Sequence, residues 1–143
     1  MPNKAFDTTS NIFAEPAVAY SSGSGSLSLV HRSREGVTKK DFMAFAKSIQ
    51  RSILDLAQIL TVSYSTLTKK SRYDKATSER ILALRQLFAY GEEIFGDMER
   101  FNAWLDEPRN AYEGSSLYSL LDTAFGIEIV SSELRKIDYG LPV

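Results

Sequence analysis

The chain contains no cysteine and a single histidine, His31. Without thiols there can be no disulfide scaffold, cysteine nucleophile, iron–sulfur cluster or cysteine-based zinc site. One imidazole likewise excludes a histidine-cluster metal site. No apolar run approaches the roughly 20 residues needed to cross a bilayer, and the first residues lack the apolar core of a signal peptide. We therefore expect a cytoplasmic protein with no metal and no membrane partner.

Arrangements typical of catalysis are also scarce. The carboxylates of Glu92-Glu93 and Asp106-Glu107 are adjacent in sequence, and adjacent residues on a helix point apart, so they cannot share a proton. Gly23-Ser24-Gly25 lacks the strand, helix and lysine of a phosphate loop. We expect a protein that is not an enzyme, with no cofactor and no small-molecule substrate.

What the chain does have is enough apolar material for a core and an uneven distribution of charge. Of its 143 residues, 43% are hydrophobic, which is ordinary for a globular domain. Residues 27–75 carry ten lysines and arginines against four acidic residues, whereas residues 76–143 carry six against twelve. This asymmetry suggests that the two parts of the chain face different partners, and the alternative is that both are ordinary solvated surfaces.

The hydrophobic pattern predicts an all-α fold. Residues 1–26 include the run Ser21–Ser26 of serine and glycine and are predicted to be a flexible N-terminal arm. From Gly36 onward apolar residues recur at spacings of three and four, as in amphipathic helices. Helices are predicted to follow the capping residues Thr38, Ser52, Ser63, Thr77 or Ser78, and Thr123. A further helix is predicted over Met98–Leu105 after a break at Gly96 and Asp97, with a loop at Arg109–Ser115 and a short helix at Ser116–Leu121. Gly91 is expected to weaken the longest helix by about 1 kcal/mol.

The stretch Ser52–Lys70 has the pattern of a helix-turn-helix, in which the second helix enters the major groove of DNA. Ala57 is small where the two helices must cross, and Thr61-Val62-Ser63 forms the turn. Thr61 occupies the place where glycine is common, and threonine would be strained in a left-handed conformation, so the turn is expected to be rebuilt or weakened. The candidate DNA-binding residues are Tyr64, Ser65, Thr66, Thr68, Lys69, Lys70 and Arg72. The alternative is a plain helical hairpin within a bundle.

Several short motifs occur in a characteristic order. They are Gly36-Val37-Thr38, Ser63–Lys70, Phe95-Gly96-Asp97, Trp104-Leu105, Pro108, Gly114, Leu120-Leu121, Thr123, Gly126, Val130, Leu134, Ile137 and Tyr139-Gly140. Together they resemble the Xre/MbcA/ParS-type antitoxins over about residues 27–143. No single motif is specific to this family. The whole series in this order, downstream of a helix-turn-helix, is much more specific.

The resemblance implies an Xre-like helix-turn-helix DNA-binding domain at residues 27–96 and a small helical toxin-binding and dimerisation domain at residues 97–143. Such antitoxins block a partner toxin, commonly a RES-domain enzyme that degrades NAD, and they form homodimers. The toxin–antitoxin complex binds operator DNA and represses its own promoter. The helix Thr123–Asp138 and the tail that follows it are the toxin-facing candidates. The individual candidates are Glu133, Lys136, Tyr139, Gly140, Leu141, Pro142 and Val143.

A second hypothesis is a stand-alone helix-turn-helix transcription regulator, whose C-terminal domain serves only for dimerisation. The identity of the neighbouring reading frame separates the two.

Among the aromatic residues, Trp104 is expected in the core because it stands just before the helix-ending Pro108. Tyr139 lies beyond the last apolar stripe and is expected to be exposed.

Overall fold

The computed structural model describes residues 23–141, which form α-helices and two short 3₁₀ segments. The helices are α1 (Gly23–Glu35), α2 (Lys39–Ser48), α3 (Ile53–Leu60), α4 (Tyr64–Lys69), α5 (Lys75–Phe95), α6 (Met98–Asp106) and α7 (Ala124–Asp138). The 3₁₀ segments, Asn110–Tyr112 and Tyr118–Asp122, lie between α6 and α7. Over the described residues the predicted all-α fold is confirmed, and none of these helices is long and apolar enough to cross a membrane.

Helix α5 is the element around which the others pack. It has 21 residues and contacts α1, α3, α6 and α7. Ile81, Leu84, Leu87 and Phe88 on this helix are completely buried. The hydrophobic core is continuous from Val37 to residue 134, so both halves of the chain are buried against the same helix.

The start of the chain differs from its predicted form. Residues 1–22, most of the predicted arm, lie outside the described residues. Gly23–Ser26, also assigned to the arm, instead form the first turn of α1. Gly25 is buried, and Ser33 is buried with its hydroxyl donating to the carbonyl of Leu29. Small side chains on α1 allow close approach to α5, and this tertiary contact outweighs the poor helix propensity of serine and glycine.

Most of the predicted helix starts are confirmed by a capping hydrogen bond. The hydroxyls of Thr38, Ser52, Ser63 and Thr123 each accept the backbone N–H three residues later. The exception is α5, which was expected to follow Thr77 or Ser78. Asp74 caps this helix instead, and its carboxylate accepts the N–H of Thr77 at 2.8 Å. Aspartate is a strong N-cap, and its bond to Thr77 places that residue inside the helix.

The connection after α6 was placed correctly but is more structured than expected. The predicted loop Arg109–Ser115 contains the 3₁₀ turn Asn110–Tyr112, and the predicted short helix is the 3₁₀ segment Tyr118–Asp122. The isolated bridge between Pro108 and Ser116 closes the base of this loop.

A cluster of aromatic rings packs α5 against α6. The Phe88 and Phe101 rings meet edge to face with centroids 5.3 Å apart. Trp104 stacks on Phe101 at 5.8 Å and is partly buried against the core, although its position before Pro108 led us to expect it within the core. Phe95 also contacts Trp104. The chain reverses between the two helices at Gly96, which has a left-handed backbone conformation and ends α5.

Gly91 provides the space for these rings. A Cβ atom at this position would lie 2.3 Å from the nearest atom of the Phe101 ring. We therefore expect Gly91→Ala to destabilise the protein by about 1–3 kcal/mol, because overpacking of a core outweighs alanine's gain in helix propensity of about 1 kcal/mol. Urea denaturation measures the difference. Equal or greater stability of the variant would show that the ring moves aside at little cost.

Candidate interaction surfaces

Helices α3 and α4 form a compact helix-turn-helix-shaped pair. They contact each other across the turn, and Leu56, Ala57, Leu60 and Leu67 are buried between them and the rest of the core. Thr61 ends α3 in the left-handed conformation, with φ 55° and ψ 41°. The turn thus keeps the left-handed conformation with threonine in place of glycine, and is not rebuilt as the sequence led us to expect. Its hydroxyl donates to the carbonyl of Leu60 at 2.6 Å.

Contacts from outside the pair fix the position of α4. The buried hydroxyl of Tyr73 donates to the carbonyl of Leu67 at 2.6 Å, and the ammonium of Lys39 donates to the carbonyl of Thr68 at 3.0 Å. Both carbonyls belong to the last turn of α4, where no intrahelical donor is available. A helix of only six residues would be barely stable on its own. These hydrogen bonds therefore hold the exposed face of α4 in place.

The predicted DNA-binding residues lie on or just after α4 and differ in how available their side chains are. Tyr64, Ser65, Lys69 and Lys70 are exposed. No carboxylate of the described chain lies within ion-pair distance of either lysine. These residues present donors and an aromatic ring to the solvent.

The remaining DNA-binding candidates already make contacts within the chain. The hydroxyl of Thr66 accepts from the Ser63 hydroxyl, and the hydroxyl of Thr68 donates to the carbonyls of Tyr64 and Ser65. The guanidinium of Arg72 donates to the carbonyl of Gly36 at 2.8 Å. Arg72 thus holds the chain just after α1.

Helix α7 forms the second candidate surface, and its buried side determines which residues face outward. Val130 and Leu134 are completely buried. A Cβ atom at Gly126 would lie 1.6 Å from the carbonyl oxygen of Leu120, so only glycine fits this contact with the preceding 3₁₀ segment. At the other end the hydroxyl of Tyr90 donates to Asp138 at 2.9 Å. Burial, together with the Asp138 carboxylate, raises the pKa of Tyr90 to about 12.

The predicted toxin-facing residues fall into two groups. Tyr139 and Leu141 are 70% and 53% exposed, as expected for Tyr139, and Lys136 and Gly140 are also exposed. The carboxylate of Glu133, only 17% exposed, accepts from the Tyr112 hydroxyl at 3.0 Å and from Lys136. Pro142 and Val143 lie outside the described residues.

The sequence prediction missed the most exposed large apolar side chain of the described chain. Phe125, on the first turn of α7, is 84% exposed. The sequence provides little indication of this exposure, because the helical spacing of apolar residues in α7 begins at Ile127. Phe125 falls outside that stripe.

The hydroxyl of Tyr73 gives a test of how α4 is held. Burial raises the pKa of Tyr73 to about 12, against about 10 in an unfolded chain. Its stabilising contribution is therefore complete below pH 10 and is lost as the pH rises towards 12. We expect Tyr73→Phe to cost about 1 kcal/mol at neutral pH and to make the loss of stability above pH 10 shallower. Urea denaturation across this pH range measures both, and an unchanged alkaline profile would contradict the assignment.

The comparison with known families concerns the C-terminal surface. Residues 91–140 match the model of the antitoxin Xre/MbcA/ParS C-terminal toxin-binding domain. This match runs from the last turns of α5 to the residue after Tyr139 and includes the whole of α7. No curated protein matches the chain. Over residues 91–140 the chain is thus similar to the C-terminal toxin-binding domain of the Xre/MbcA/ParS-type antitoxins, the family that its sequence motifs resemble.

Proposed function

We propose that this protein is the antitoxin of a type II toxin–antitoxin system, and that it acts by binding rather than by catalysis. It binds a partner toxin through α7 and the tail after it, and binds its own promoter DNA through α4 to repress transcription. The observation that carries the proposal is the match of residues 91–140 to a toxin-binding domain. Both partners meet it in the cytoplasm.

The exposed end of α7 supports steric inhibition of the toxin. Tyr139 and Leu141 project where the helix has ended, and aromatic side chains are the usual energetic anchors of protein interfaces. The resemblance to the antitoxins implies that this end lies near the entrance of the toxin's active site. The partner we propose is a RES-domain enzyme that degrades NAD. The acidic second half of the chain suits a toxin that is basic around a nucleotide-binding pocket.

The exposed side of α4 supports the DNA-binding role. Lys69 and Lys70 lie at its C-terminal end, and the surrounding residues 27–75 have an excess of six positive charges. Phosphate neutralisation supplies most of the affinity of such surfaces, whereas hydrogen bonds to base edges supply specificity. Ser65 is the exposed hydroxyl available for base contacts, and Thr66 accepts an internal bond but keeps its own proton as a donor. We propose that a homodimer, alone or with toxin, occupies a two-part operator.

The toxin-binding role is tested with two exposed tyrosines on different surfaces. We expect Tyr139→Ala combined with Leu141→Ala to weaken binding of the protein encoded by the neighbouring reading frame by about thirtyfold, the effect of losing an interface hot spot. Tyr64→Ala, 53% exposed on α4, is the matched control and should leave this affinity unchanged. Calorimetric titration gives the affinities, and co-expression shows whether cells are still protected.

For this test, surface variants are preferable to a chain truncated before Thr123. Truncation would remove Val130 and Leu134, which belong to the core, and would unfold the protein. If the parent protein neither binds nor neutralises the neighbouring gene product, the antitoxin role is wrong. Binding to operator DNA without any such partner would instead favour the stand-alone regulator.

The DNA-binding role is tested through its dependence on salt. We expect Lys69→Ala and Lys70→Ala each to weaken binding to the upstream DNA and to unrelated DNA alike. Each should lower the slope of log affinity against log salt by about one for every phosphate that the missing ammonium would have neutralised. Arg100→Ala is the control, since Arg100 is exposed on α6 within the acidic part of the chain. Fluorescence anisotropy titrations measure the slopes, and parent-like slopes for both lysine variants would remove α4 from the DNA interface.

A further inference from the structure

The exposure of Phe125 follows from how α7 is locked in place. Gly126, the next residue, lies directly against the carbonyl of Leu120, where no side chain fits. Val130 and Leu134 are turned into the core on the same side. Rotation of α7 to bury Phe125 would move Gly126 away from this contact. The ring therefore stays 84% exposed, although burial in an apolar environment is worth more for phenylalanine than for most side chains.

Phe125 lies on the same face of α7 as the toxin-facing residues at its other end. With successive residues about 100° apart on a helix, Phe125, Lys136 and Tyr139 point within about 40° of one direction. Ile129 and Ser132, both partly exposed, lie between them on this face. At 1.5 Å per residue, Phe125 and Tyr139 are about 21 Å apart along the helix. The two most exposed aromatic side chains of the described chain thus mark the two ends of one surface.

We propose that Phe125 is a second anchor of the toxin interface, inserted in an apolar pocket of the toxin about 20 Å from the contact made by Tyr139. The inference rests on the proposed antitoxin function and extends it, because the individual toxin-facing residues expected from the resemblance all lie in the last turns of α7 or after it. The match to the toxin-binding domain spans both ends of this surface. The toxin, rather than a second copy of the chain, is the occupant that this match favours, because the matching model describes toxin binding.

Two separated anchors have a consequence for specificity. A single aromatic contact allows the partner to pivot, whereas two contacts on a rigid helix fix its orientation along α7. Aromatic anchors serve this purpose well because they bury a large area with few rotatable bonds. A toxin with an active-site entrance but no second pocket at the matching distance would bind weakly. Phe125 is thus a residue that selects the partner.

The test is Phe125→Ala, measured by calorimetric titration against the purified product of the neighbouring reading frame. We expect the affinity to fall by about thirtyfold, with the midpoint of thermal unfolding unchanged because the ring is not part of the core. Leu54→Ala is the matched control. Leu54 is 59% exposed on α3, outside the matched domain, and its removal should leave the affinity as in the parent.

The outcomes distinguish this inference from the function on which it rests. Parent-like affinity of Phe125→Ala, with the Tyr139 and Leu141 variant impaired, would overturn the second anchor and leave the antitoxin function standing. Failure of the parent protein to bind would overturn the function itself. If sedimentation shows that Phe125→Ala converts a dimer to a monomer while toxin affinity is unchanged, the ring is a contact between copies of the chain and the inference is wrong.

Discussion

The guanidinium of Arg80 joins the two parts of the molecule on which the proposed functions depend. Its Nη2 atom donates to the carbonyl of Ile59 and to the carbonyl of Leu121, both at 2.9 Å. Ile59 lies in the last turn of α3, just before the strained turn at Thr61, and Leu121 lies in the 3₁₀ segment that leads into α7. Carbonyls at the ends of helices lack intrahelical donors. One guanidinium therefore supplies the missing hydrogen-bond donor for a carbonyl in each segment, and it fixes the distance between the two segments.

Arg51 forms a second link of the same kind between the start of α3 and the C-terminal elements. Its side chain is 9% exposed and donates to Asn102 and to Asp106, both at 2.8 Å. Its guanidinium also lies 3.9 Å from the centre of the Tyr118 ring. A charge with so little exposure is tolerated only where it is paired and bonded. With α5 packed against both parts, the surface of α4 and the surface of α7 belong to one body.

The sequence predicted the features that depend on neighbouring residues. A hydroxyl at Thr38, Ser52, Ser63 or Thr123 acts within one helical turn, so its cap could be inferred from spacing alone. The left-handed turn at Thr61 could not, because the strain of threonine in this conformation favoured a rebuilt turn. Helix α1 was missed because its glycine and serine are favourable only against α5. The start of α5 was placed too late because Asp74 was overlooked as a cap beside the hydroxyls of Thr77 and Ser78.

The candidate surfaces were predicted less completely than the helices. Exposure of Phe125 depends on a contact between Gly126 and Leu120 that spacing does not show, and the burial of Glu133 depends on Tyr112, 21 residues away. Arg51 and Arg80 contribute to the charge totals of the two parts of the chain, but nothing in their local sequence shows that each bonds to groups far along the chain. Contacts between residues far apart in the sequence thus determine which of these side chains are exposed and which are bonded, and composition and local pattern do not show such contacts.

Native-state hydrogen exchange tests most directly whether the two surfaces form one cooperative body. A single body joined by Arg80, Arg51 and α5 predicts that the most protected amides of α3 and of α7 exchange with the same free energy of opening and the same dependence on denaturant. If α7 opens at a markedly lower free energy than α3, with a small denaturant dependence of its own, the part that contains α7 is a separate unit and the link through Arg80 does not hold the molecule together.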